Sequence, residues 1–245
     1  MKTSNRILGW IGIGIVAAVV ALVIISRVIF GPAVEAGGSG RAPLTADRAL
    51  SEEYVTSSHE LSGFTGVRST GGWSVILRHG DGYEVEVRVQ KDLADDTTVA
   101  VRNGMLVLDA ADTSGMRGVK GMYATVTMPA LREVRSLGAL ELVFSGFEGP
   151  RLTVDVDGAL SVRGEDNRYG RLDLESNGAS DVKLAESRFG SASVVLRGAG
   201  DAVLTMDGGE LSGGIYGAGR IAYYGEASRV DVDTSVVSRV DKLSR

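Results

Sequence analysis

The stretch VDVDGALSV, residues 154–162, decides the fold, because similar stretches recur along the chain at a nearly constant spacing. The other copies read VRSLGALEL (134–142), LESNGASDV (174–182), VVLRGAGDA (194–202), GGIYGAGRI (213–221) and VDTSVVSRV (232–240). Five of the six copies carry Gly-Ala at their centre, and Val236 takes the glycine position in the last. The interval between these central positions is almost the same from each copy to the next, which is typical of a stacked structural repeat.

The side-chain pattern within the copies indicates strands. The residue four positions before the glycine is apolar in five of six copies, and the residue four positions after it is apolar in all six. Neighbouring residues of a strand point to opposite faces, so these apolar columns are predicted to face inward. A repeat of about 20 residues is too short for a strand–helix–strand crossover. The sequence therefore predicts an all-β fold, a right-handed parallel β-helix with about 20 residues per coil.

The head domain is predicted to cover residues 61–245, with six repeat coils in 131–245 and irregular capping coils in 61–130. In the capping part, Val85, Val87 and Val89 alternate with charged residues, as in a half-buried strand. Asn103-Gly104 between two apolar runs predicts a β-hairpin.

The N-terminal region has a different character. Residues 7–26 carry no charged side chain, and a helix of that length spans about 30 Å, the thickness of a membrane's hydrocarbon core. With the apolar residues after Arg27, the sequence predicts a transmembrane signal anchor at 7–30, preceded by a cytoplasmic tail at 1–6. The alternative is a signal peptide cleaved after Ala36, whose apolar region is ordinarily only about 7–15 residues long.

Residues 31–60 contain several glycines and prolines and are predicted to form a flexible linker. The localisation predicted from these segments is the cytoplasmic membrane, single-pass, with the C-terminal domain extracytoplasmic, in the periplasm or at the cell surface. The membrane is accordingly one predicted partner.

The composition excludes several functions. The chain has no cysteine and two histidines, which rules out zinc–thiolate sites and leaves little room for histidine-based chemistry. The net charge of −5 has the wrong sign for a nucleic-acid surface. No catalytic, cofactor-binding or metal-binding residue is predicted, no cofactor is expected, and the protein is predicted not to be an enzyme.

One polar column is the best candidate for a site. It stands three positions after the glycine and comprises Glu141, Ser161, Asp181, Asp201, Arg220 and Arg239. Adjacent coils would place these side chains about 5 Å apart, within reach for acid–base chemistry or for a metal. The alternative is an ordinary solvated sheet exterior, and the same choice applies to the acid pairs Asp155/Asp157, Asp173/Glu175 and Asp231/Asp233.

Aromatic side chains are the usual platforms for sugar recognition. Trp73 is a candidate for an exposed ring, and so is one of the adjacent pair Tyr223 and Tyr224, whose rings point to opposite faces. Tyr169 and Phe189 are separated by one repeat and are predicted to stack in the core.

Four features together resemble one family: Phe64-Thr65-Gly66-Val67, the Asn103-Gly104 hairpin, the run MPALREV at 128–134, and the glycine turn in successive repeats. The chain resembles, over about residues 61–240, the bacterial "putative auto-transporter adhesin, head GIN domain" family. That family usually has Ser-Gly-Ser-Gly where this chain has Gly-Ala. The resemblance implies a β-helical domain in the bacterial envelope and carries no catalytic motif.

The first functional hypothesis is therefore a non-enzymatic, membrane-anchored, adhesin-like interaction module, whose partner in the envelope or at a surface is a protein or a polysaccharide. Two alternatives remain: a lyase or hydrolase that acts on envelope polysaccharide along the charged column, and a purely structural stalk. No nucleic-acid partner is expected.

Overall fold

The structure is a computed structural model that describes residues 51–110 and 121–244, which form one mixed sheet of 11 strands. The strands are β1 (Tyr54–His59), β2 (Gly66–His79), β3 (Glu84–Gln90), β4 (Thr98–Arg102), β5 (Met105–Asp109), β6 (Met122–Met128), β7 (Glu133–Ser145), β8 (Glu148–Asp207), β9 (Glu210–Glu226), β10 (Arg229–Thr234) and β11 (Ser238–Lys242). A 3₁₀ turn at Lys91–Leu93 is the helical element within these ranges. β1 lies within the segment predicted to be a linker.

The repeat sets a parallel register through the middle of the sheet. β7 pairs with β8 so that Gly138 lies opposite Gly158, and β8 pairs with β9 so that Gly198 lies opposite Gly217. β2 continues the same register on the other side of β7, with Gly71 opposite Gly138. Each copy of the repeat therefore lies beside the next, and equivalent residues form columns.

The glycine column requires glycine for a steric reason. At Gly158 the backbone φ is +136°, and a Cβ placed there would lie 1.9 Å from the carbonyl oxygen of Gly138. A side chain would meet the neighbouring backbone in a conformation that L residues rarely adopt. The column also divides the outer surface in two. We call the outward residues of 66–70, 133–137, 153–157, 173–177, 193–197 and 212–216 the leading surface. Those of 73–79, 139–145, 159–165, 179–185, 199–205 and 218–224 form the trailing surface.

The predicted inward columns are confirmed by their burial. The residues four before the glycine are buried at Val134, Val154, Leu174 and Val194, and those four after it at Leu142, Val162, Val182, Ala202 and Ile221. Val232 and Val240, in the last copy, are half-buried, since β10 and β11 each pair with β9 on one side only in the part of the chain described.

The aromatic predictions have mixed outcomes. Tyr169 and Phe189 stack in the core as predicted, with ring centroids 6.4 Å apart and planes 11° from parallel. Tyr223 is buried and Tyr224 half-buried. The exposure considered for Trp73 is wrong: the ring is buried, and its Nε1 donates to the carbonyl oxygen of Thr70 at 2.9 Å.

Asn167 lies in the core without losing any hydrogen bonds. Its Nδ2 donates to the carbonyl oxygen of Phe144 at 3.1 Å and to Oγ of Ser187 at 2.9 Å. Its Oδ1 accepts from the backbone nitrogen of Phe147 at 3.0 Å. The buried amide thus links three successive copies of the repeat through hydrogen bonds. It also pairs backbone groups that would otherwise lack a hydrogen-bond partner.

The predicted right-handed parallel β-helix is wrong, because the sheet is mixed. β3 runs antiparallel to both β1 and β6, and β4 runs antiparallel to β5. The physical reason lies in the connections: only Asn103-Gly104 joins β4 to β5, and a two-residue turn can join only antiparallel strands. The predicted hairpin is present, but its strands, with β1, β3 and β6, are not the coils expected in 61–130.

The predicted localisation is also wrong with respect to the structure. In residues 51–110 and 121–244, no helix is long and apolar enough to cross a membrane. The tail at 1–6, the transmembrane segment at 7–30 and the cleavage position at Ala36 lie outside the described residues. The described part of the chain thus contains no helix that would support the predicted single-pass location in the cytoplasmic membrane.

Tyr169 should make stability fall at high pH. Burial raises the pKa of this phenol above its ordinary value of about 10, and its hydroxyl donates to the carbonyl oxygen of Leu131 at 3.0 Å. Above about pH 10 the unfolded chain loses this proton while the folded chain keeps it, so stability falls as pH rises further. Tyr169→Phe should flatten the fall between about pH 10 and 12, measured by urea unfolding. The exposed Tyr216→Phe is the control, and an equal flattening there would contradict the assignment.

Candidate functional site

The predicted polar column lies on the trailing surface, with its members in the expected register. Glu141 is opposite Ser161, Asp201 is opposite Arg220, and Arg220 is opposite Arg239. The placement of these residues on one outward column is therefore confirmed.

The side chains of this column do not converge on a common point. Glu141 Oε2 accepts a hydrogen bond from Ser74 Oγ at 2.7 Å, and Asp181 Oδ2 accepts from Lys183 Nζ at 2.6 Å. Arg239 Nε lies 2.9 Å from Asp241 Oδ2. Within the described ranges, no group of three or more His, Asp and Glu side chains is arranged to hold a metal ion. The column has the arrangement of an ordinary sheet exterior, in which charges pair with their surface neighbours.

A concave feature lies instead on the leading surface, at the end formed by the β4–β5 hairpin. We call it the leading groove; its volume is about 640 Å³. It is lined by Arg68, Ser69, Thr70, Arg102, Asn103, Met105, Val107, Leu108, Asp109, Glu133, Arg135, Ser136, Leu137, Asp155 and Asp157. None of the predicted column residues lines it.

Strand register explains how the groove is built. β5 pairs with residues 66–70 of β2, and β2 pairs with residues 133–137 of β7, which continue into β8. Outward side chains therefore stand in rows across the groove: Val107, Arg68, Arg135 and Asp155 in one row, and Asp109, Thr70, Leu137 and Asp157 in the next.

A row of hydrogen-bonding side chains extends from the groove along the leading surface. We call Asp157, Asn177, Arg197 and Tyr216 the recognition strip; each stands one position before the glycine column. Asn177 Nδ2 donates to Asp157 Oδ1 at 2.8 Å, and Arg197 Nη1 donates to Asn177 Oδ1 at 3.3 Å. The guanidinium of Arg197 also lies 5.7 Å from the centre of the Tyr216 ring, which is 51% exposed.

The strip is held by further contacts from neighbouring columns. Arg197 Nη1 donates to Glu175 Oε1, and Tyr216 Oη donates to Asp233 Oδ2 at 3.5 Å. Because these side chains contact side chains of neighbouring copies of the repeat, which we call rungs of the sheet, the strip presents its donors and acceptors in a pre-organised arrangement.

The backbone of β2 and β7 beneath the groove is fully engaged. Residues 66–70 of β2 pair with β5 on one side and with β7 on the other, and residues 133–137 of β7 pair with β2 and β8. The ladder hydrogen bonds of these segments are thus made within the sheet. A ligand lying over β2 and β7 must therefore be recognised by side chains, whereas β4, which contributes Arg102 to the groove, pairs only with β5 within the described residues.

The candidate column and the position one before the glycine both face outward, but only the second position borders the leading groove, at Leu137 and Asp157. The acid pair Asp155/Asp157 is predicted to share one face, and both residues are exposed and line the groove. The missed signal was the aromatic and apolar content one position before the glycine, at Leu137 and Tyr216, where an outward strand position would ordinarily be polar.

Comparison with known proteins finds a matching family and solved structures of similar fold. The model of the family described as "putative auto-transporter adhesin, head GIN domain" matches residues 63–201, which include β2 to β7 and most of β8. The match covers every residue that lines the leading groove, and the strip as far as Arg197. No curated protein matches the chain.

Two solved structures are similar in fold. A putative adhesin from Bacteroides fragilis is 15% identical, with a TM-score of 0.60; the alignment covers 80% of this chain and 99% of the other. A putative lipid binding protein from Parabacteroides distasonis is 13% identical, with a TM-score of 0.50 and the same two coverages. At these identities the likeness concerns the fold alone.

Proposed function

The chain belongs to the putative auto-transporter adhesin, head GIN domain family, and from that premise we propose that it is a non-catalytic, adhesin-like module that binds a polysaccharide at a bacterial surface. The binding surface is the recognition strip together with the leading groove. The adhesin names of the family and of a structural neighbour support a surface interaction. The observation that carries the choice of ligand is the strip itself.

The strip suits a hydroxylated polymer for two reasons. Carboxylate, amide and guanidinium groups at Asp157, Asn177 and Arg197 supply both acceptors and donors to hydroxyl groups. The exposed ring of Tyr216 offers an apolar platform with a polar edge. Successive rungs of the sheet lie about 4.8 Å apart, so four rungs present these groups over roughly 15 Å, which suits an extended chain better than a compact molecule.

The alternative of a polysaccharide lyase or hydrolase depends on the trailing column. There the carboxylates of Glu141 and Asp181 are engaged with Ser74 and Lys183. A stalk without a ligand, the other alternative, would need no exposed aromatic ring beside a hydrogen-bonded strip. Measurements of polysaccharide binding and of polysaccharide cleavage distinguish both alternatives from the proposal.

The first measurement is binding to a panel of neutral and acidic polysaccharides, by the retardation of the purified protein in gels that contain each polymer. Tyr216→Ala should weaken the binding of a retained polymer about fivefold, because the ring contributes about 1 kcal/mol. Asp201→Asn, an exposed change on the trailing surface, is the matched control and should leave binding unchanged.

The same incubations are examined for new chain ends. Retardation without cleavage supports the proposal. Cleavage that is abolished by Asp181→Asn or Asp201→Asn in a folded protein would overturn it in favour of an enzyme. Absence of retardation by every polymer would leave the structural stalk as the better account.

A further inference from the structure

Two arginines of the leading groove stand out because they make no ion pair within the described residues. Farther along the leading surface and its border, each arginine lies within 4 Å of a carboxylate: Arg151, Arg171, Arg197 and Arg229. Arg68 and Arg102 are both exposed, and neither makes an ion pair with any residue of 51–110 or 121–244.

The groove is lined by four acids, of which only Glu133 is paired with an arginine within the described residues, and none of the four makes an ion pair with Arg68 or Arg102. Glu133 Oε1 accepts from Arg135 Nε at 2.5 Å, Asp157 accepts from Asn177, and Asp109 accepts from Thr70 Oγ1. Asp155, the remaining acid, lies opposite Arg135 rather than opposite Arg68.

Strand pairing also places two like charges side by side. Arg68 lies directly opposite Arg135 on the neighbouring strand. Like charges at directly opposite positions destabilise a sheet. Because Arg135 is already paired with Glu133, Arg68 is the guanidinium of this pair that remains for an anion, and guanidinium groups pair with carboxylate or phosphate through two parallel hydrogen bonds.

Two apolar side chains of the groove, Met105 and Leu137, accompany these arginines. Met105 lies opposite Gly66, and its Sδ occupies the space that a side chain at Gly66 would need, since a Cβ there would be 2.3 Å from the sulfur. Leu137, also in the groove, is 51% exposed. Guanidinium groups beside apolar side chains match a sugar ring that bears an acidic substituent, because such a ring has an apolar face and a charged edge.

We propose that the leading groove binds the anionic group of an acidic polysaccharide, a uronic-acid carboxylate or a sugar phosphate, through Arg68 and Arg102. This inference rests on the proposed function, because the polymer's neighbouring residues would lie along the recognition strip. An acidic peptide is the weaker candidate: extended peptides bind by backbone pairing at a free strand edge, and β2 and β7 are paired on both sides. The edge that remains in the described residues is that of β4, which is five residues long and carries Arg102 at its end, so the test includes an acidic peptide.

The test compares polymers that differ in charge alone. Polygalacturonate is presented beside its carboxyl-reduced form, which has the same backbone and no charge, and a glycerol phosphate polymer tests phosphate as the source of the anion. Dissociation constants are measured at about 0.15 M salt, where exposed charges more than about 8 Å apart are screened. We expect at least one of the two anionic polymers to bind at least about tenfold more tightly than the neutral one.

Arg68→Gln and Arg102→Gln should each weaken the binding of the anionic polymer about tenfold, the contribution of one charge-assisted hydrogen bond, and leave the neutral polymer unaffected. The matched control is Arg163→Gln, which removes one exposed positive charge from the trailing surface and should change neither affinity. All three positions are exposed, so circular dichroism and thermal unfolding should show a folded protein in each case.

The outcomes separate this inference from the proposed function. Equal binding of polygalacturonate and its reduced form, with no effect of Arg68→Gln, would overturn the acidic-sugar assignment while a polysaccharide-binding module stands. An equal loss with Arg163→Gln would also overturn it, since binding would then follow net charge. Binding of polyglutamate as tight as that of polygalacturonate would point to an acidic peptide instead. Failure of every polymer would count against both proposals.

Discussion

Gly158→Ala is expected to prevent stable folding, at a cost of more than about 4 kcal/mol. The new Cβ would lie 1.9 Å from the carbonyl oxygen of Gly138 and 2.7 Å from its carbonyl carbon, both rigid backbone atoms in the middle of the sheet. The backbone at this position also has a φ of +136°, which an alanine adopts only with strain. The two costs add, and neither can be relieved by moving a flexible side chain.

The measurement is chemical unfolding followed by circular dichroism, together with the yield of soluble protein. Gly72→Ala is the matched control, because a Cβ there would have no atom within 4 Å, and it should change stability by no more than about 0.5 kcal/mol. Similar stability for Gly158→Ala and wild type would show that the strands are farther apart at this column than the structure has them.

Val182→Asp is expected to cost about 4 kcal/mol, because it places a carboxylate in the apolar interior of the stack. Val182 is 2% exposed, and the equivalent positions in the neighbouring rungs are the buried Val162 and Ala202. No basic side chain occupies these positions to pair with the new charge. The loss should become smaller at low pH, where the carboxyl group is protonated and less costly to bury.

The measurement is again the free energy of unfolding, at neutral pH and at about pH 4, near the ordinary pKa of aspartate. Asp201→Asn, on the exposed side of the neighbouring rung, should change stability by about 0.5 kcal/mol or less. Comparable losses for the two variants would mean that the alternation of inward and outward residues is wrong in this rung.

The inward columns could be predicted because they depend on two simple regularities. Side chains alternate between the faces of a strand, and successive copies of the repeat fall into register if each lies beside the next. Val162 and Val182 are assigned to the core on this basis, and both are buried. Tyr169 and Phe189 follow the same argument, since they too occupy equivalent positions in successive copies.

The direction of the strands before the repeat could not be predicted in the same way. Val85, Val87 and Val89 are buried as their alternation predicts, but alternation is the same in parallel and antiparallel strands. The pairing of β3 with β1 and β6 joins segments that no repeat relates. Without a periodic signal, the continuation of the coil into residues 61–130 was the wrong extrapolation.

The sequence by itself determined which residues of the repeat face the core and where glycine must stand, because alternation and spacing are properties of a single strand and its nearest copy. Only the tertiary structure decided which outward column borders a groove. Arg68 of β2 and Arg102 of β4 belong to one groove because β5 pairs with both of these strands, although β3 lies between them in the chain. Likewise, the polar side chain of Asn167 is stable in the core because it forms hydrogen bonds with backbone groups of Phe144 and Phe147. Contacts between residues so far apart in the chain arise from long-range strand pairing, which the local pattern of side chains does not encode.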